Sequence, residues 1–294
     1  MRALRGPLAA LSLAAALVPA GAHAQSWRIF TAQRGIAKED ALHVNIVYGL
    51  GKLTLRAADP SMLYDLNARF DADNERIVRR YDASASTLFV GADSATAERY
   101  GVHPQIFSGS SRRSPRGGYL TVALARGIPL NLGVKIAAGE GEIELGDLWL
   151  SHLVVLSTMS DATVDFRTPN PQPMHELVVD ASIGGITIKR LGNARAERVN
   201  LSVGIGGADV DMRGAWTGET TIFGQVTMGG LVLEVPRDAG VKITTSTTLA
   251  GLDAKGFERR DGAYFSPNYA TATRKLNVTG GVTMGGVEVS WVEP

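Results

Sequence analysis

The chain has 294 residues, with 30 basic and 29 acidic side chains, 34 glycines and no cysteine. That composition excludes disulfides, thiolate metal sites and a cysteine nucleophile. So even a charge balance also excludes the concentrated basic face of a nucleic-acid binder.

At the N-terminus, Arg2 and Arg5 precede an apolar run from Leu8 to Val18, and Ala22-His23-Ala24 supplies a small-x-small cleavage site. These are the parts of a secretory signal peptide over residues 1–24, cut before Gln25. The run is too short to span a bilayer, no cysteine follows it for a lipid, and no later stretch is long and apolar enough for a membrane helix. The expectation is an exported, soluble chain, periplasmic or extracellular, with no transmembrane anchor after cleavage. Losing two arginines leaves 28 basic against 29 acidic residues, a net charge of about −1.

Residues 25–125 read as a first rung and an N-terminal cap. "YGLGKLTL" (Tyr48 to Leu55) is the first copy of a unit that recurs later. "MLYDLNARF", "ERIVRRYD" and "STLFVGA" depart from that unit and read as an antiparallel sheet covering the first rung. "SGSSRRSPRGG" (residues 108–118) reads as a mobile loop.

Residues 126–294 are repetitive. The apolar residue after each glycine pair, or its substitute, falls at Ile143, Ala162, Ile186, Ala208, Leu231, Leu252 and Val287. The steps are about 22 residues until the last, which "FERRDGAYFSPNY" (Phe257 to Tyr269) lengthens to 35. Each unit alternates with period two, as half-buried strands do. Val199, Leu201, Val203 and Ile205 read as one inward face, and Ala208, Val210 and Met212 continue it beyond the glycines. The inward residues then step by three across each glycine pair, from Ile183 to Ile186, Ile205 to Ala208, Met228 to Leu231 and Met284 to Val287. Three is out of phase with two, so the chain bends at Gly184-Gly185, Gly206-Gly207, Gly229-Gly230 and Gly285-Gly286, where glycine permits positive φ. A glycine pair can close a two-residue hairpin, giving an antiparallel array, or form the corner of a solenoid rung. The solenoid is preferred because it covers its own apolar face. The fold class is therefore all-β, a β-solenoid with an antiparallel N-terminal cap. It predicts an outer column of stacked charges: Asp165, Lys189, Asp211, Glu234 and Lys255. "TPNPQP" (Thr168 to Pro173) reads as a loop whose prolines prevent strand pairing.

"IPLNLGVKIAAGEGEIELGDLWLSHLVVL", the Gly-Gly rungs and "VPRDAGVKI" resemble the toast-rack β-solenoid proteins. These include adhesin-type proteins and the C-terminal domain of LiaF-like cell-wall-active antibiotic response proteins. "GFERRDGAYFSPNY" followed by "RKLNVTGGVTMGGVEV" is similar to the end of the LiaF-like domain, over residues 226–294. The resemblance covers Leu42 to Trp291 and is thin between Asp71 and Tyr119. It implies a right-handed β-solenoid-like fold, envelope association and no catalytic residues. LiaF-like signalling proteins carry membrane helices ahead of this domain, where this chain has a signal peptide.

Other constellations are weak. His43, His103, His152 and His175 are scattered, and the repeat places none of them in one column. Asp209 and Asp211 lie on one strand face and form a possible acidic cluster, the only arrangement suggesting a carbohydrate-active enzyme. "FDADNE" (Phe70 to Glu75) lacks the glycine and distal Glu of an EF-hand loop. Arg112, Arg113 and Arg116 make a small basic loop. The sequence thus reads as a non-catalytic envelope module, structural or adhesin-like, without cofactor or metal. Its partner would be an envelope protein or glycan. A lyase or hydrolase and a LiaF-like envelope-stress accessory are the alternatives.

Overall fold

The computed structural model describes residues 26–73, 75–92, 117–246 and 249–293. The expected signal peptide, Arg112, Arg113, Arg116 and His103 lie outside the described residues.

The N-terminal part contributes β1 (Trp27–Gly35), β2 (Leu42–Ala57), β3 (Met62–Asp71), β4 (Ile77–Asp82), β5 (Thr87–Ala92) and β6 (Tyr119–Leu124). Five long strands follow: β7 (Pro129–Glu144), β8 (Trp149–Asp165), β9 (Met174–Lys189), β10 (Ala196–Asp211) and β11 (Glu219–Pro236). The C-terminal part adds β12 (Gly240–Thr245), β13 (Leu249–Ala254), β14 (Glu258–Arg260), β15 (Ala263–Phe265) and β16 (Lys275–Val292).

β2, β7, β8, β9, β10 and β11 pair in parallel, each with the next. Parallel pairing decides between the two geometries, because a Gly-Gly hairpin would have made neighbours antiparallel. The protein is a β-solenoid. Each long strand is one rung, bent at its middle into a first and a second arm that face each other across the core. In β10, Val199, Leu201 and Val203 bury from the first arm, and Ala208 and Val210 from the second. A connector closes the third side, burying Phe166, Leu191 and Trp216.

The bend differs from the sequence expectation in one respect. Ile183, Ile205, Met228 and Met284 are 46%, 50%, 42% and 39% exposed, so they point outward. The buried series jumps from Val203 to Ala208 in β10, and from Ala181 to Ile186 in β9. The physical reason is the corner itself: a side chain at its apex has no opposite arm to meet. Strand pairing stacks these four residues into an apolar file down the corner, continued by Met159 and Ala138.

The first glycine of each pair carries the constraint. Gly206 has φ 142°, and a Cβ there would fall on the carbonyl oxygen of Gly184 in the rung before. Gly207 lacks positive φ, and its Cβ would meet nothing nearer than 3.5 Å. β8 has no glycine at this place. Ser160 stands opposite Gly139, and its hydroxyl packs inside against that of Ser157 at 2.6 Å.

The rung order is not the chain order. β16 lies between β11 on one side and β12 and β13 on the other, parallel to all three. The VTMGG rung near the C-terminus is therefore internal, where the repeat alone implied a final rung. The inserted segment explains this: β14 and β15 form a hairpin on β12, and the chain then returns into the open edge beside β11. The N-terminal end is built likewise. β5 and β6 together make a split rung on the outer side of β2, β4 pairs antiparallel with β5, and β3 and β1 extend antiparallel from β6. The expected boundary at 125/126 falls between β6 and β7, inside one continuous sheet. At the far edge β14 is only three residues long, Glu-Arg-Arg and exposed, which suits an edge that must not recruit another strand.

Candidate binding surface

The connectors fix how the rungs stack. Backbone bonds run from rung to rung, such as Leu145 N–H to Asp165 O at 2.9 Å and Gly192 N–H to Arg213 O at 2.9 Å. Two buried asparagines complete the ladder. Asn170 accepts from Leu150 N–H (2.9 Å) and donates to Leu150 O (2.7 Å), and Asn193 donates to Phe166 O (2.9 Å). The proline-rich Thr168-to-Pro173 loop is thus a stitched wall, with side-chain amides replacing the strand pairing that proline prevents.

The expected charge column is only partly a column. Asp165 is opposite Lys189, and Asp211 opposite Glu234. Ser290 then follows Glu234, because β16 intervenes, and Lys255 pairs instead with Asp253 at 3.0 Å. Asp165 and Asp211 are not solvated faces either; they are 9% and 8% exposed at the ends of β8 and β10. Arg190 binds Asp165, and Arg213 grips Asp211 through Nε (3.0 Å) and Nη2 (2.9 Å), with its own backbone N–H adding a third bond at 2.9 Å. Burial alone would raise the Asp211 carboxyl, but these bonds outweigh it and hold the group below the usual carboxylate range. Asp209 is exposed, so the two carboxylates of the expected acidic cluster differ in their surroundings: one faces solvent and the other is buried against Arg213.

The histidines are better ordered than their spacing suggested. His43, Asn131 and His152 share one row: Asn131 donates through Nδ2 to His43 Nδ1 (3.1 Å) and accepts at Oδ1 from His152 Nδ1 (3.0 Å). The His175 ring lies 5.5 Å from that of His152. His43, Asn131 and His152 each stand eight residues before the corner residue of their strand, Gly51, Gly139 and Ser160, and the register shift at Leu130/Asn131 lies on the far side of the row from the corner.

Beside it, the outer face of the first arms sinks into an open trough of about 470 Å³ across β9, β10, β11, β16 and β12. The cause lies underneath. The inward column reads Val179, Leu201 and Gly224, so β11 has no side chain beneath the sheet there; Gly280 stands opposite Gly224, and a Cβ on it would fall on the Gly224 carbonyl oxygen. Leu231 of the opposite arm comes within 3.5 Å of where a Gly224 Cβ would sit. The trough is lined by Asp180, Asn200, Ser202, Phe223, Gln225, Thr244 and Thr279, and Phe223 is 44% exposed in its midst. Asn200 donates to Glu176 (2.8 Å), which fixes the amide plane. The side chains of Ser202, Gln225, Thr244 and Thr279 form no hydrogen bond with other described residues. Sequence reasoning missed this surface. The signal was present, because Gly224 and Gly280 each stand seven residues before the aligned Leu231 and Val287, where other rungs carry Val179 and Leu201.

Among the described residues, no helix is long and apolar enough to cross a membrane, and no group of three or more His, Asp or Glu is placed to hold a metal ion. The sequence model of the family described as the N-terminal domain of toast_rack, DUF2154, matches residues 24–189. No curated protein matches the chain. Among solved structures, the chain is similar to a "putative cell adhesion protein" from Clostridium sporogenes, 13% identical, covering 91% of this chain and 100% of the other at TM-score 0.45. It is also similar to a "putative adhesin" from Bacteroides fragilis, 13% identical, covering 89% and 97% at TM-score 0.37.

Proposed function

Because the chain belongs to the toast-rack family through its N-terminal domain, DUF2154, we propose that it is an exported, non-catalytic module of the bacterial cell envelope. Its role is structural or adhesin-like, and it holds an envelope protein or glycan on the faces of its rungs. The fate of the carboxylates carries this reading. Acid–base catalysis needs carboxylates that converge on a substrate. Here Arg190 engages Asp165, Arg213 engages Asp211, and Asp209 is exposed to solvent. The exposed rows of amides and hydroxyls are suited to holding a partner.

The test is co-sedimentation of the purified protein with washed envelope material, followed by assay of the supernatant for newly released reducing ends. Retention without release is the expected result. Release that Asp209→Asn abolishes would replace this reading with the enzyme. Export is tested by fractionation and mass spectrometry, with Gln25 expected as the first residue of the mature chain.

A further inference from the structure

We propose that the trough over Phe223 binds a linear, uncharged glycan laid along the solenoid axis, across the rungs. This rests on the binding-module reading and names the ligand for one of its faces. Four observations lead to it.

The trough offers one aromatic face among amides and hydroxyls. Phe223 is flanked in register by Asn200 and Thr279, with Ser202 and Gln225 in the adjacent row. A pyranose has the matching surface: an apolar C–H face that stacks on an aromatic ring, and a rim of hydroxyls that both donate and accept. Amide and hydroxyl side chains answer that rim, because each can take either role.

Charge argues for a neutral polymer. Among the described residues, Asp180 is the only charged side chain lining the trough, and no lysine or arginine lines it. An anionic glycan, a phosphorylated lipid headgroup or a nucleic acid would have no cation to meet there.

Backbone pairing argues against an extended peptide. Added strands need a free sheet edge. Most of the trough lies on the face of strands already paired on both sides, since β10 is held by β9 and β11, and β16 by β11 and β12; only its β12 end, at Thr244 and Thr245, is paired on one side alone.

Geometry suits repetition. Successive rungs bring their side chains past at about 4.8 Å intervals, roughly one sugar ring. The rungs are also set by the sheet and by the connector asparagines, so binding orders little of the protein.

The experiment is calorimetric titration of the purified protein with β-linked hexasaccharides of glucose, N-acetylglucosamine and xylose. Binding of at least one is expected. Phe223→Ala should weaken it roughly tenfold, and Asn200→Ala/Gln225→Ala should weaken it independently. Phe223 is half exposed, so its variant should keep the wild-type melting temperature and circular dichroism. If wild type binds none of the hexasaccharides, or Phe223→Ala binds as tightly as wild type, the glycan assignment is overturned. Envelope co-sedimentation of wild type separates the two ideas: if it persists while no hexasaccharide binds, the module reading stands and the trough's ligand is wrong. If both are absent, both readings fail.

Discussion

Arg213 closes back on Asp211, two residues before it, and the pair is bidentate: Nε to Oδ1 at 3.0 Å and Nη2 to Oδ2 at 2.9 Å. The contact turns the chain out of β10 into the connector and keeps a buried carboxylate charged. Asp211→Asn should therefore cost about 2 kcal/mol in urea unfolding at pH 7. The folded carboxyl is held low, so its stabilisation is present above the unfolded pKa, about 3.9, and fades as pH falls through the folded value. The gap between wild type and variant should close at strongly acid pH. A constant gap from pH 7 to pH 2 would show that the charge is irrelevant.

The two glycines of the VTMGG rung should behave differently. Gly285 has φ 135°, and its Cβ would fall on the carbonyl of Gly229; the Cβ of Gly286 would meet only Gly251 O at 3.8 Å. Gly285→Ala should destabilise by at least about 2 kcal/mol, from strain and backbone collision. Gly286→Ala should stay within about 1 kcal/mol. Chemical denaturation of both variants decides the matter, and equal losses would mean that the corner depends on the pair as a unit.

Ile183 and Ile186 offer a control within one residue type. Three positions apart, they are 46% and 1% exposed, on opposite sides of the same corner. Ile186→Ala should cost about 2–5 kcal/mol, while Ile183→Ala should fall within about 0.5 kcal/mol of wild type. Reversal of that order would restore the step-of-three alignment read from the sequence.

Glu75 supplies a pH signature of the N-terminal cap. Burial, and then the charge of Asp71, push its carboxyl up to about 7. Its contribution is fully present below the unfolded value, about 4.3, and is lost as pH rises to about 7. Glu75→Gln removes that loss. The variant should melt higher than wild type at pH 8 and show no such gain at pH 4. An equal shift at both values would point to packing rather than ionisation.

These contrasts mark where sequence and structure divide. The sequence by itself determined the all-β class, the bent rung of about 22 residues and the place of most corners; in β7 it set Ile143 level with Ala162, which pairs instead with Gly141. All of these follow from local rules: alternation of apolar residues, and the conformations open to glycine. It left the side of the corner undecided, since steps of three and of five are equally out of phase with a period of two. Ile205 therefore read as core and lies outside. Only the tertiary structure decided that β16 lies between β11 and β12/β13, because rung order depends on which backbone edge is free when the chain returns. That placement separates Glu234 from Lys255 and brings Thr279 beside Phe223. The salt bridge of Asp165 with Arg190 and the trough above Gly224 arise in the same way, from neighbours that sheet pairing and connectors bring together and that no period in the chain encodes.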